Sequence, residues 1–189
     1  SEVLEKEVSM TNGKQMLMRI MPYLTRDKYT RGVIISFVDI TVLTNLNNMI
    51  RGVLNSNPSA IMAFGAVRDR GTIIDFTVTT ANYAAGIFLP PREAEGLSLL
   101  KDVPALADEG FFERFKELVE TDTKLNTDIY FKTSDRWYNL VAAKMMDGFV
   151  ATFTDITTKK ISEEKIRKSY VELITVKDNL KVINEQLEH

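Results

Sequence analysis

One internal repeat constrains this chain more than any other feature. Gly32-Val-Ile-Ile-Ser-Phe-Val-Asp-Ile-Thr41 returns 116 residues later as Gly148-Phe-Val-Ala-Thr-Phe-Thr-Asp-Ile-Thr157, with five of ten positions identical. Each copy is opened by a glycine, is rich in β-branched and aromatic residues, and runs directly into a helical pattern. Each therefore reads as a β-strand that feeds a helix. Working backwards, Val8, Met10, Met16 and Ile20 align with Ile129, Phe131, Trp137 and Val141 at an offset of 121, so the preceding hairpin is repeated too. The five-residue difference in offset places a longer polar loop, residues 25–31, in the first copy, and Asn12-Gly13 supplies its tight turn. Residues 1–41 are thus expected to be three antiparallel strands. The second copy has a front half that the first lacks: strands at 60–67 and 73–79 around an Arg-Asp-Arg-Gly turn, then helical stretches at about 82–88 and 111–120. On this reading the chain starts in the middle of a domain.

Composition removes most catalytic chemistries. The 189 residues contain no cysteine, and the one histidine is His189, which takes away thiol nucleophiles, disulfides, zinc ligation by Cys and His, and Ser-His-Asp arrangements. Asp39 and Asp155 belong to separate repeats, and nothing in the sequence brings them together as an acid/base pair. With 24 basic and 26 acidic residues the net charge is -2, so composition implies no basic face for a nucleic acid. The apolar runs are far shorter than the roughly 20 residues of a membrane span, and no signal-peptide layout opens the chain. The expectation is a cytoplasmic protein, or a cytoplasmic piece of one, with no catalytic residues and no metal.

Between the copies, Val42, Leu43, Leu46, Met49, Ile50, Val53 and Leu54 recur three or four apart and predict an amphipathic linker helix over 42–54. Gly52 weakens it by roughly 1 kcal/mol relative to alanine, so this helix depends on packing. After Thr157 neither proline nor glycine appears, and Ile166, Leu173 and Leu180 repeat every seven residues, with Val176 and Ile183 three positions on. Such an a/d seam predicts a coiled-coil helix over 158–189 and a homodimer; the same stripe also suits packing back onto its own domain. The closing Leu187-Glu188-His189 resembles the scar of an expression tag.

These residues carry a family likeness. Two strands around a polar turn, the Asn-x-Ala-Ala start at Asn82, Ala84 and Ala85, then Gly96, a helix and three strands closing on Asp155-Ile156-Thr157 resemble a PAS sensor domain over 55–157. Leu17-Met-Arg-Ile-Met-Pro-Tyr23 followed by the strand ending Asp39-Ile40-Thr41 is similar to the PAS region of chemotaxis methyltransferase/methylesterase fusion proteins and of sensor histidine kinases. The resemblance implies an α+β fold: a five-stranded antiparallel sheet with helices on one face, an internal pocket, and output through the C-terminal helix. It also implies a domain order of 1–41 as the C-terminal part of an upstream PAS domain, 42–54 as linker helix, 55–157 as PAS domain and 158–189 as signalling helix. A sensory role in a two-component or chemotaxis system follows from the same likeness, with an effector domain in the full-length protein. Family members bind haem, flavin, a small organic ligand, or nothing known. Haem lacks a histidine within the domain, and a thiol-adduct flavin lacks its cysteine, so neither cofactor is expected.

Two readings stay open at each candidate site. Asp155 and Thr157, with Asp39 and Thr41 in the first copy, either simply cap a helix or also transmit a displacement of the sheet into it. Asn82 either contacts a ligand or caps a turn. Phe76, Val78, Phe131, Leu140, Ala142 and Ala151 alternate toward the helix-covered face, where the small alanines leave room for a ligand or for a helix. The leading expectation is a signal-relay module that binds a small ligand or mediates dimerisation. The rival is a structural dimerisation spacer with no ligand.

Overall fold

Alternating apolar and β-branched residues set the strands, and turn chemistry sets where each one ends. The computed structural model describes residues 3–24, 30–90, 93–103, 106, 110–132 and 134–187, with backbone alone at 24, 30, 31 and 181–187. Two units divide the chain, Ser1–Ser56 and Asn57–His189.

In the first unit, β1 (Leu4–Ser9), β2 (Gln15–Leu24) and β3 (Thr30–Asp39) form an antiparallel sheet in the order β1-β2-β3. Gly13 adopts φ +82°, and the Asn12 side chain accepts a hydrogen bond from the Lys14 amide at 3.1 Å. This turn chemistry reverses the chain in a few residues because glycine bears the left-handed conformation without strain. The helix α1 (Thr41–Ser56) follows β3, and none of its residues is buried.

The second unit opens with β4 (Ala60–Asp69) and β5 (Thr72–Ala81), joined through Arg70 and Gly71, both at positive φ. A helical layer follows: a 3-10 turn at Tyr83–Ile87, α2 (Leu99–Asp102) and α3 (Phe111–Thr121). Then come β6 (Leu125–Phe131), β7 (Arg136–Lys144), β8 (Gly148–Asp155) and the long helix α4 (Thr157–Leu187). The five strands are antiparallel in the order β5-β4-β8-β7-β6, which makes β8 the inner strand that bridges the front and back halves. Phe64, Phe76, Leu140, Phe149 and Phe153 from the sheet meet Leu99, Val103, Leu106, Phe115 and Leu118 from the helical layer in one core. This arrangement is α+β, with the helical layer on one face of the five-stranded sheet.

Three differences from the sequence expectations have physical causes. The stretch near 82–88 is a five-residue 3-10 turn, held at its start by Asn82, carrying Gly86 within it and followed by Pro90. The single turn α2 is too short to display a 3.6-residue period, yet it buries Leu99 and is capped by the Ser98 hydroxyl, which accepts from the Lys101 amide at 3.1 Å. The third difference is the offset of the second strand. Met16 lies opposite Asp39, whereas Tyr138 lies opposite Asp155, so β2 corresponds to β7 at an offset of 122 and Met16 matches Tyr138, not Trp137. Ile20 likewise matches Ala142, not Val141. The first strands keep the offset of 121, because Val8 faces Met16 as Ile129 faces Tyr138. A slip of one residue turns every side chain to the opposite face. The pattern of β2 does not reveal the slip, since Met16, Leu17, Met18, Ile20 and Met21 put apolar residues on both faces.

Candidate functional site

The two strand-to-helix exits share a set of bonds. At the first, Asp39 Oδ1 accepts from the Thr41 amide at 3.1 Å and from the Thr41 hydroxyl at 2.6 Å. At the second, Asp155 Oδ1 accepts from the Thr157 amide at 2.9 Å. The threonine hydroxyl oxygen then reaches back to the neighbouring strand: Thr41 Oγ1 accepts from the Gln15 amide at 2.9 Å, and Thr157 Oγ1 from the Trp137 amide at 3.0 Å. The isoleucine between them bonds in both directions. The Ile40 amide donates to the Gln15 carbonyl and the Ile156 amide to the Trp137 carbonyl, each at 2.9 Å; the Ile40 and Ile156 carbonyls accept the first helical bonds, from Thr44 and Lys160. The aspartate Oδ1, both backbone groups of the isoleucine, and the threonine amide and Oγ1 thus all bear on where the helix starts and which way it leaves.

A basic residue just before or at the start of the adjacent strand completes each exit. Lys14 Nζ lies 3.0 Å from Asp39 Oδ2, and Arg136 Nη1 lies 2.7 Å from Asp155 Oδ2. Lys14 and Arg136 correspond at the offset of 122, as do Gln15 and Trp137. Sequence reasoning missed both cations because the offset of 121 left them unaligned.

The second exit has an addition. Lys160, in the first turn of α4, places its Nζ 2.7 Å from Asp128 Oδ2 on β6 and 5.3 Å from the centre of the Trp137 ring on β7. Asn139 Nδ2 donates to the other carboxylate oxygen of Asp128 at 2.9 Å. At the corresponding positions the first copy has Thr44, Glu7 and Gln15.

Electrostatics follow this geometry. Asp39 is held down from its ordinary 3.8 to about 2, first by the Thr41 hydroxyl, then by Lys14 and the Thr41 amide. Asp155 is lowered by the Thr157 side chain and amide, then by Arg136, and Asp128 is lowered by Lys160 and Asn139. The folded chain therefore binds fewer protons than the unfolded chain between the folded and ordinary values. The resulting stabilisation is complete above the ordinary carboxylate range and is lost as pH falls through the folded values. A carboxyl-carbon NMR titration should place the Asp39 midpoint near 2. A midpoint near 3.8 would mean that the Thr41 and Lys14 bonds are absent in solution.

The other candidate residues fall into two places. Asn82 is buried, and its bonds run to backbone: Oδ1 accepts from Ile61 at 2.9 Å and Ala85 at 3.2 Å, while Nδ2 donates to Ser59 at 2.9 Å. It caps the 3-10 turn and ties that turn to β4. Phe76, Val78, Phe131, Leu140, Ala142 and Ala151 all lie in the core of the second unit. Ala142 and Ala151 are cross-strand partners. Aromatic rings cover the residues beside them, Phe115 stacking on Phe149 with centroids 4.3 Å apart and Phe88 meeting Phe153 in a tilted contact at 4.7 Å. Along α4, Ile166, Leu173, Val176 and Leu180 are all exposed, so the stripe does not pack back onto the described residues of its own unit. The side chain of Ile183 lies outside the described residues.

The same sheet face differs between the units. Val33, Ile35 and Phe37 correspond to Phe149, Ala151 and Phe153; the first three are 62%, 49% and 52% exposed, the second three at most 1%. The helical layer and the β4–β5 hairpin account for that burial.

A family model described as "PAS domain" matches residues 1–41, which are the first sheet together with its exit. Among solved structures, the periplasmic sensory domain of the Campylobacter jejuni chemoreceptor Tlp1 is similar at 11% identity and a TM-score of 0.28, over 82% of this chain and 49% of that one. This chain thus spans about half the length of that structure's chain. No curated protein matches. Among the described residues, no helix is long and apolar enough to cross a membrane.

Proposed function

We propose that this chain is a non-catalytic sensory relay of the PAS type, in which the state of a sheet is passed to the helix that leaves it. The observation that carries this reading is the repetition of the exit: in both copies the aspartate accepts from the threonine amide and pairs with a cation, Lys14 or Arg136, while the threonine Oγ1 accepts from the amide of the adjacent strand. A cap alone needs only an acceptor for the first helical amides. These exits also lock the helix start to the adjacent strand, so that a movement of the strand and a rotation of the helix cannot occur independently. On this reading residues 1–41 act as the end of an upstream PAS domain and 42–54 as its linker helix, while 55–157 form a second PAS domain whose output helix is 158–189.

The output is a parallel homodimer through α4. Ile166, Leu173, Val176 and Leu180 form an exposed seam in a helix whose flanks carry pairs such as Arg167 with Glu164 at 2.9 Å. Such a seam is buried by a second copy of itself. Dimerisation then serves as the signal that can be imposed at will, and coupling is reciprocal. In the wild type, amide exchange in β7 and β8 should slow several-fold between dilute monomer and concentrated dimer. Asp155→Ala should cost about 1 kcal/mol of stability, as a lost cap does, and should also remove that dependence on concentration. If Asp155→Ala loses the stability but keeps the dependence, the exit is only a cap.

A dimerisation spacer with no small ligand is the second reading. It is favoured by the rings of Phe88 and Phe115, which pack against the face where Ala142 and Ala151 lie.

A further inference from the structure

We infer that Lys160 is a positioning residue that extends the second exit to the edge strand β6, making α4 responsive to three strands where α1 answers to two. The inference rests on the relay reading above and concerns the regulation of the same junction.

The polypeptide itself joins α4 to β8. Thr157 and the Asp155–Arg136 pair join its start to β7. Neither reaches β6, which lies at the edge of the sheet and pairs only with β7. Lys160 supplies that connection, with its ammonium 2.7 Å from Asp128 on β6 and 5.3 Å from the face of Trp137 on β7. Its side chain is about one-third exposed, as is that of Asp128, so the pair is less screened than the ion pairs farther along α4. Asn139 on β7 orients the Asp128 carboxylate by donating to its second oxygen. A charge held by a carboxylate and an aromatic face favours one position, which biases the rotation of the first helical turn about its axis.

The first exit serves as an internal control. It shares the amide and Oγ1 bonds of Asp-Ile-Thr and has Lys14 at the position of Arg136, yet Thr44 stands where Lys160 would be and Gln15 where Trp137 would be. Both copies have the common junction, and the second also carries the added grip.

Trp137 is the only tryptophan of the chain, so its emission reports on this contact directly. Three variants of the full chain are compared with the wild type: Lys160→Met, which keeps the apolar stem and removes the charge, Lys160→Arg, and Asp128→Asn. The readouts are Trp137 emission and amide exchange, followed in dilute monomer and in concentrated dimer. Lys160→Met and Asp128→Asn should shift the emission and speed exchange of the backbone amide at position 160 by roughly three- to tenfold, as loss of a partly exposed ion pair with a cation–π contact does. Lys160→Arg should restore both. In Lys160→Met the concentration dependence of exchange in β6 should vanish while that in β8 persists. If β6 keeps its dependence in Lys160→Met, the inference falls and the relay reading stands. If the wild type shows no dependence in β8 either, the relay reading falls and takes the inference with it. Unchanged emission and unchanged amide exchange at position 160 in Lys160→Met would overturn the contact itself.

Discussion

Phe149→Ala is expected to destabilise the second unit by about 3–5 kcal/mol, the range for deleting a buried phenylalanine. That is a large part of the roughly 5–15 kcal/mol that holds a domain together, so the variant should be partly unfolded at ordinary temperature. The reason is the position of the ring. Phe149 is fully buried, stacks on Phe64 at 4.7 Å and on Phe115 at 4.3 Å, and meets the edge of Phe76 at 4.9 Å. One side chain thereby joins β8, β4, β5 and α3. Its truncation leaves a void against three rings that cannot all close in, and the cavity cost adds to the lost transfer energy. Its counterpart in the first unit, Val33, is mostly exposed, and Val33→Ala should change stability by less than about 0.5 kcal/mol. Chemical denaturation followed by Trp137 emission reads the second unit alone. A cost below about 1.5 kcal/mol for Phe149→Ala would mean that the aromatic cluster is looser in solution than its ring distances imply.

Much of this architecture was legible in the sequence because it rests on local signals. The repeated strand with its glycine, the Asn12-Gly13 turn, the heptads after Thr157 and the alternation around Phe76 and Val78 each dictate structure within a few residues. Long-range bonds were less legible. Lys14 and Arg136 stand 25 and 19 residues from the aspartates they hold, and only a correct register aligns them. That register was hidden by the apolar residues on both faces of β2, where a shift of one residue leaves the pattern intact. Lys160 and Asp128 come from different elements, 32 residues apart, and in sequence each looks like any other exposed charge. The difference in burial between Val33 and Phe149 was invisible for a related reason. Two strands that share half their residues have one hydrophobic pattern, and what covers them is set by segments elsewhere in the chain.

The repeat itself supplies the sharpest test of that last point, because Gly32 and Gly148 occupy the same position in it. Gly148→Ala is expected to cost about 3 kcal/mol or more, at the upper end for overpacking. Gly148 lies opposite Gly65 in the β4–β8 ladder, and a Cβ there would collide with the Phe64 carbonyl and sit only 3.0 Å from the Gly65 Cα. These are backbone atoms, which cannot swing aside as the end of a flexible side chain can, so relief requires the two strands to part. Among the described residues, a Cβ on Gly32 meets no atom within 4 Å, and its φ is not in the left-handed region. Gly32→Ala should therefore be neutral or stabilising by up to about 1 kcal/mol, through the reduced freedom of the unfolded chain. Denaturation read by Trp137 emission measures the first variant, and amide exchange in β2 and β3 measures the second. The contrast follows from what lies beside each strand: β8 has β4 as a neighbour, and β3 is at the edge of its sheet. A cost at Gly32 comparable to that at Gly148 would show that in solution another strand packs against β3 as closely as β4 packs against β8.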